Sequence, residues 1–229
     1  MINVNESKRT VDHEDWFEVF KPEKRLIPDP VYLVLKRIMD LTLVVLASPF
    51  WLLLIAVIFI LIKLESPRDP VIFVQPRTGM GGRRFNMYKF RTMVVNAEEL
   101  KEKYAYLNEL KWPDFKITND PRITRIGRFL RKSSLDELPQ MFNILKGEMS
   151  LVGPRPTSFS PKMYELWHTE RLDVLPGLTG LWQIVGRGEF QFDERLRLDI
   201  AYIQRRCMWL DIQILFRTVS AVFQQKGAV

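Results

Sequence analysis

The chain has 229 residues, 47% of them hydrophobic, which is enough to bury a core and excludes a wholly disordered tail. A formal charge of +7 implies an anionic partner, whether nucleic acid, acidic headgroups or phosphorylated substrates, and composition does not choose among these. A single cysteine, Cys207, excludes a disulfide framework, and His13 and His168 are too far apart in sequence for ordinary zinc-ligand spacing.

Residues 1–30 lack a sustained period and read as an N-terminal arm or linker closed by Pro28 and Pro30. Residues 41–62, LTLVVLASPFWLLLIAVIFILI, contain no charge. As a helix they would extend about 33 Å, long enough for a bilayer core of about 30 Å. The stretch begins too late and runs too long for a signal peptide. Lys24, Arg25, Lys36 and Arg37 precede it, and Lys63, Arg68, Arg77, Arg83 and Arg84 follow it. Basic residues on both flanks predict that segment 31–66 enters and leaves the membrane through one face. Pro49 supplies the bend: it has no N–H, frees the carbonyl of Val45, and stands beside Ser48, whose hydroxyl can satisfy that carbonyl. An ordinary spanning helix with a tolerated proline is the alternative.

Residues 67–229 read as a catalytic-sized domain. VIFVQPRTG and RRFNMYKFRTM form two expected strands around Met80-Gly81-Gly82, with Pro76 marking a short or edge strand. A polar helix is expected near 95–111, and further helices around 122–132, 137–146, 160–173, 192–206 and 210–225. Arg122, Arg125, Arg128 and Arg131 recur every third residue among apolar side chains. That pattern suits either a helix lying in a membrane interface or one packed on the domain with a solvated basic face. Asp211 and Arg217 interrupt the last apolar helix, so it is not read as a second span.

The stretch SSLDELPQ, residues 133–140, has two readings. Ser134 and Glu137 match a capping box, or Asp136 and Glu137 are neighbouring acids placed for chemistry. Pro139 has no N–H, which weakens a cap at Ser134 and moves the expected helix start to Asp136 or just beyond. A carboxylate there would share its surroundings with donors that attract phosphate. Candidate cations lie in other motifs. Arg155 stands between two prolines in VGPRP; Lys89 and Arg91 alternate in YKFRT, so both can point to one side; Arg187 and the aromatic Trp182 lie in the glycine-rich GLTGLWQIVGR.

Together KFRTM, SSLDELPQ, LKGEMSLVGPRP, PGLTGLWQIVGR and LDIAYIQ followed by LDIQIL resemble the bacterial sugar transferase family, the monotopic phosphoglycosyl transferases, over roughly residues 31–226. The resemblance implies a helix-rich α+β fold: a re-entrant membrane helix-break-helix at Ser48-Pro49, and a small globular domain with a β-hairpin and interfacial amphipathic helices. It implies transfer of a sugar 1-phosphate from a UDP-sugar to undecaprenyl phosphate with release of UMP, at the cytoplasmic face of the bacterial inner membrane, to start a glycan. Asp136 would be the nucleophile, forming a phosphosugar-aspartate intermediate. Glu137 would be the second catalytic acid. Lys89, Arg91, Arg131, Arg155, Arg187 and Asp199 become candidate phosphate or substrate contacts, with Asp211 orienting an arginine. Mg²⁺ is the expected cofactor, with Asp136 its expected ligand. A lipid bilayer is the expected environment, nucleic acid is not an expected partner, and a homodimer is compatible with the pattern. The arm at 1–30 suits either a small form with an extension or a fragment of a larger form. A basic membrane-anchored adaptor is the competing non-enzyme reading, and it gives adjacent acids among cations no purpose.

Overall fold

The computed structural model describes residues 28–109, 115, 117–159, 164–186 and 190–223. The N-terminal arm up to residue 27, the first part of the helix expected at 160–173, and Arg187 lie outside the described residues.

Two helices open the described chain. α1 runs Asp29–Leu46 and α2 runs Ser48–Glu65, separated at Ala47. The break falls where the sequence places it, and Pro49 lies in the first turn of α2, where its missing N–H costs little. The carbonyl satisfied from a side chain is not the one expected: the Trp51 indole donates to Val44 O at 2.9 Å. α1 is amphipathic in an inverted sense. Tyr32, Lys36, Asp40 and Val44, one turn apart, face inward, while Val31, Leu33, Val34, Ile38, Leu43, Val45 and Leu46 are exposed. α2 buries Trp51, Ile58 and Ile62 and exposes most of its other large apolar residues. It is the one helix among the described residues that is long and apolar enough to cross a membrane.

β1 (Ile72–Thr78) and β2 (Arg84–Phe90) form an antiparallel ribbon in register from Ile72 opposite Phe90 to Thr78 opposite Arg84. Both strands are edges, so Pro76 interrupts no interior ladder. The turn requires glycine at Gly81 and Gly82, with φ of 62° and 74°. The expected helix near 95–111 reduces to a single turn, α3 (Glu99–Lys103), and a 3₁₀ turn at Ala105–Leu107. Its charged residues find no apolar face to bury. α4 spans Arg125–Ser133, capped by the Thr124 hydroxyl accepting from Gly127 N–H. Arg122 therefore precedes the helix, and it binds Asp120 through Nε at 2.9 Å and NH2 at 2.6 Å.

α5 (Gln140–Lys146) starts later than predicted, after Pro139. Then come β3 (Ser150–Val152), a 3₁₀ segment Leu166–Leu172 in place of the expected helix, β4 (Gly177–Thr179), α6 (Leu181–Val185), α7 (Phe192–Arg205) and α8 (Met208–Phe223). β3 and β4 pair in parallel, a connection the sequence reading lacked. It depends on glycine: a Cβ on Gly177 would stand 2.1 Å from Gly153 N. Glycine here makes room for backbone.

Two apolar clusters hold the molecule together. Val44, Trp51, Met87, Ile144, Val152, Leu181, Tyr202, Leu210 and Ile214 belong to the larger, and Ile58, Ile62, Val71, Phe90 and Leu130 form the smaller. Leu138 packs against both, and Leu135 packs against the smaller.

Candidate active site

The turn between α4 and α5 carries the acid pair. α4 ends at Ser134, whose φ of 57° is left-handed, and a 3₁₀ turn at Leu135–Glu137 follows. Leu135 and Leu138 anchor this turn in the clusters, leaving Asp136 and Glu137 between two apolar pins. The capping-box reading is set aside by this geometry. Ser134 closes α4 instead of opening α5, and the Glu137 side chain reaches cations rather than the Ser134 backbone. Asp136 likewise stands in the turn before α5 and not at the start of that helix.

Glu137 is the hub. Lys89, from β2, donates to Oε1 at 2.8 Å. Arg155, from the loop after β3, reaches Oε2 through NH1 at 3.2 Å and also binds Oε1 through NH2, a forked geometry that fixes both groups. Arg131, in the last turn of α4, donates Nε to the Thr92 hydroxyl at 2.9 Å, and its charge acts on Asp136. Asp136 itself is half-buried, and none of the hydrogen bonds found among the described residues involves its carboxylate.

The two acids diverge electrostatically. Burial and then the Glu137 charge push the Asp136 carboxyl up, against the pull of Lys89, Arg155 and Arg131. Burial would raise Glu137 too, but Arg155 and Lys89 more than offset it and hold that carboxyl well below the usual range. Glu137 is therefore the fixed counter-charge and Asp136 the more basic, uncommitted carboxylate. Arg77 adds a cation that the sequence reading treated only as membrane flank. Burial and the neighbouring Arg155 push its guanidinium down to about 10.

Other expected contacts are placed elsewhere. β2 ends at Phe90, so strand alternation does not extend to Arg91. Arg91 donates to Pro70 O at 2.6 Å and Met93 O at 3.2 Å, and its NH1 lies 3.7 Å from Asp69, so it clamps the chain entering and leaving the hairpin. Asp199, on α7, accepts from Arg171 at 2.7 Å, and burial pushes its carboxyl up to about 6. Asp211 orients no arginine of this cluster: it accepts from Tyr32 and Lys36 at 2.9 Å and from Tyr202 at 2.7 Å. Trp182 is buried, with the Arg195 guanidinium 5.5 Å from its ring centre, so it is a packing surface already in use. Arg171 was missed altogether, since nothing in HTERLD distinguishes it in sequence.

An isolated, partly desolvated carboxylate among cations, on a domain bearing an outward-facing apolar helix pair, is an arrangement chemically able to meet a phosphate ester at an apolar surface. The description "Bacterial sugar transferase" matches residues 31–225, and the chain belongs to that family. It is 43% identical over 201 residues to "Galactosyl transferase CpsE" of Streptococcus agalactiae serotype III, covering 86% of this chain and 44% of that one. It is 43% identical over 203 residues to "Undecaprenyl-phosphate galactose phosphotransferase" of Salmonella typhimurium, covering 85% and 41%. It is 38% identical over 217 residues to "Exopolysaccharide production protein ExoY" of Rhizobium meliloti, covering 91% and 94%. The chain thus spans less than half of the first two relatives and nearly all of the third.

Proposed function

We propose that this protein transfers a sugar 1-phosphate from a UDP-sugar to undecaprenyl phosphate and so begins the assembly of a bacterial glycan such as exopolysaccharide, capsule or O-antigen. The observation that carries the reading is the contrast within the acid pair: Glu137 committed to Lys89 and Arg155, and Asp136 raised and without a hydrogen bond among them. The names of the family relatives favour the same donor and acceptor classes.

In the first step an Asp136 oxygen attacks the sugar-linked phosphorus, an O–P bond forms to the carboxylate, and the bond to the leaving phosphate of UMP breaks. In the second, an oxygen of the lipid phosphate attacks the same phosphorus and the Asp136 O–P bond breaks, regenerating the carboxylate. Dividing the transfer in this way replaces one meeting of two anions with two in-line displacements. Arg155, Lys89 and Arg131 face the charge that gathers on the phosphoryl oxygens. Glu137 keeps Lys89 and Arg155 aimed and ionised.

Mg²⁺ fits the donor set in a limited way. The described residues hold no cluster of three acidic, histidine or cysteine ligands. Mg²⁺ commonly takes one or two carboxylates and completes its shell with water and substrate phosphates, and Asp136 offers the carboxylate. The ion would supply charge screening and polarisation of a phosphoryl oxygen.

The helix pair is read as re-entrant, with the domain on the cytoplasmic face of the inner membrane. Both of its outer ends are tied to the same domain: Asp29 meets Arg206 at 3.1 Å, and Glu65 accepts from Arg125 N–H at 2.9 Å. Cysteines introduced at residues 30 and 66 are expected to label from one face only; labelling of the two from opposite faces refutes re-entry.

The test of function is UMP release across a panel of UDP-sugars with undecaprenyl phosphate and Mg²⁺. Asp136→Ala and Asp136→Asn are both expected to abolish turnover, and wild type given donor alone is expected to carry a sugar-phosphate adduct on Asp136. A fully active Asp136→Ala refutes the assignment.

A further inference from the structure

The segment that carries Arg155 has its backbone carbonyls engaged one after another. Arg155 O accepts from Arg171 NH2 at 2.5 Å, Pro156 O from Arg77 NH1 at 3.4 Å, and Thr157 O from Thr78 N–H at 3.0 Å. Ser158 O accepts from Arg84 NH1 at 3.1 Å, and Phe159 O from Thr78 Oγ1 at 2.5 Å. Four of the five donors belong to the β1–β2 hairpin. The fifth, bound at the residue that carries the guanidinium, comes from the 3₁₀ segment.

That fifth contact is itself braced. Arg171 NH2 also donates to Asp199 Oδ2 at 2.7 Å. A guanidinium NH2 group has two hydrogens, so both are used and its direction is set. The pair is deeply buried, with Arg171 6% and Asp199 2% exposed, which strengthens the bonds and keeps water from replacing them. Pro154 and Pro156 fix their own φ and narrow the conformations of Arg155 without fixing the plane of its carbonyl. The Arg171 bond fixes that plane, and with it the direction in which the Arg155 side chain leaves the backbone.

We propose that Arg171, braced by Asp199, is a positioning residue for the transfer: it aims the Arg155 guanidinium by holding the Arg155 carbonyl, and touches no substrate itself. This rests on the role given to Arg155 above. It also reassigns Asp199, which acts two hydrogen bonds away from Arg155 instead of at a phosphate.

The test must separate aiming from simple folding, because removing one member of a buried ion pair strands the other charge. Arg171→Met combined with Asp199→Leu removes both charges together, a replacement that buried pairs often tolerate. This double variant is compared in the wild-type and Arg155→Met backgrounds. Misaimed catalytic groups lose on the order of 100-fold in rate. A loss of that size in kcat/KM for the UDP-sugar is expected in the wild-type background, and less than about 3-fold where Arg155 is already absent. Hydrogen exchange at the Thr78 amide, which donates to Thr157 O at 3.0 Å, is expected to quicken in the double variant and to stay unchanged in Arg155→Met alone. Equal losses in both backgrounds, or unchanged exchange, overturn the proposal. If wild type transfers no sugar phosphate from any donor, the functional reading fails, and the exchange comparison still decides whether the Arg171 tether orders this loop.

Discussion

Replacing Glu137 by Gln acts on Asp136 through two routes of the same sign. Asp136 is raised first by burial and then by Glu137, against Lys89, Arg155 and Arg131. The substitution leaves the burial in place and deletes the second cause. It also releases the Arg155 guanidinium from the carboxylate that now offsets its charge, so the pull of Arg155 on Asp136 grows. A charge at close range moves a carboxyl by about 1 to 3 units, and each unit is about 1.4 kcal/mol. As the nucleophile proposed above, Asp136 would attack only when ionised, so the rate should fall as pH drops through its pKa, and a lower pKa should preserve the rate to lower pH. The acid limb of the first half-reaction is therefore expected to shift down by at least about 1 unit. The plateau should also fall, by roughly 100-fold, because the forked Arg155 contact loses its charge. The assay is single-turnover UMP release as a function of pH, wild type against Glu137→Gln. An acid limb that stays in place or moves upward refutes this account of the pair.

The buried polar cluster behind α1 and the parallel strand pair give further tests. Asp211→Ala leaves the Lys36 ammonium and the Tyr32 and Tyr202 hydroxyls without their common acceptor, at an expected cost of roughly 3–5 kcal/mol, read by denaturant unfolding in detergent. Asp211→Asn, which keeps an acceptor oxygen, should cost less. Gly177→Ala places a Cβ 2.1 Å from Gly153 N, backbone that cannot yield as a side chain would. It is expected to lower stability by more than about 2 kcal/mol, with transfer activity lost in parallel because Gly153 leads into Arg155. Trp51→Phe keeps the ring but removes the donor to Val44 O at 2.9 Å, for an expected loss of about 1–3 kcal/mol.

The sequence was informative where one residue type has one physical consequence. An uncharged stretch with a proline showed the helix pair and its break, and alternation and glycine showed the hairpin. Its failures share a cause. Arg91 and Lys89 look equivalent two residues apart, yet the strand ends between them, and an element boundary of one residue decides which cation meets Glu137. The family resemblance put Asp199 among the phosphate or substrate contacts, but its partner, Arg171, lies 28 residues earlier and carries no local signal. The β3–β4 pairing joins three-residue strands, too short for periodicity to register. What the linear pattern withheld in each case was a long-range pairing, and those pairings decide which charges converge.

They also join the apolar helices to the chemistry. Arg37 of α1 donates to the carbonyls of Ile144 at 2.7 Å and Leu145 at 3.1 Å, near the end of α5. Asp40 accepts from the Ser150 hydroxyl at 2.7 Å, on the strand that runs into Arg155. Glu65 at the end of α2 takes the first N–H groups of α4. α4 and α5 bracket the acid pair, and β3 leads to its arginine, so these three elements around the site are also bonded to the helix pair. An anchor on a flexible tether would let the site drift relative to the apolar surface. Here the displacement between them is set by side-chain contacts, many of them buried, and the lipid acceptor proposed above would need a site held at one height.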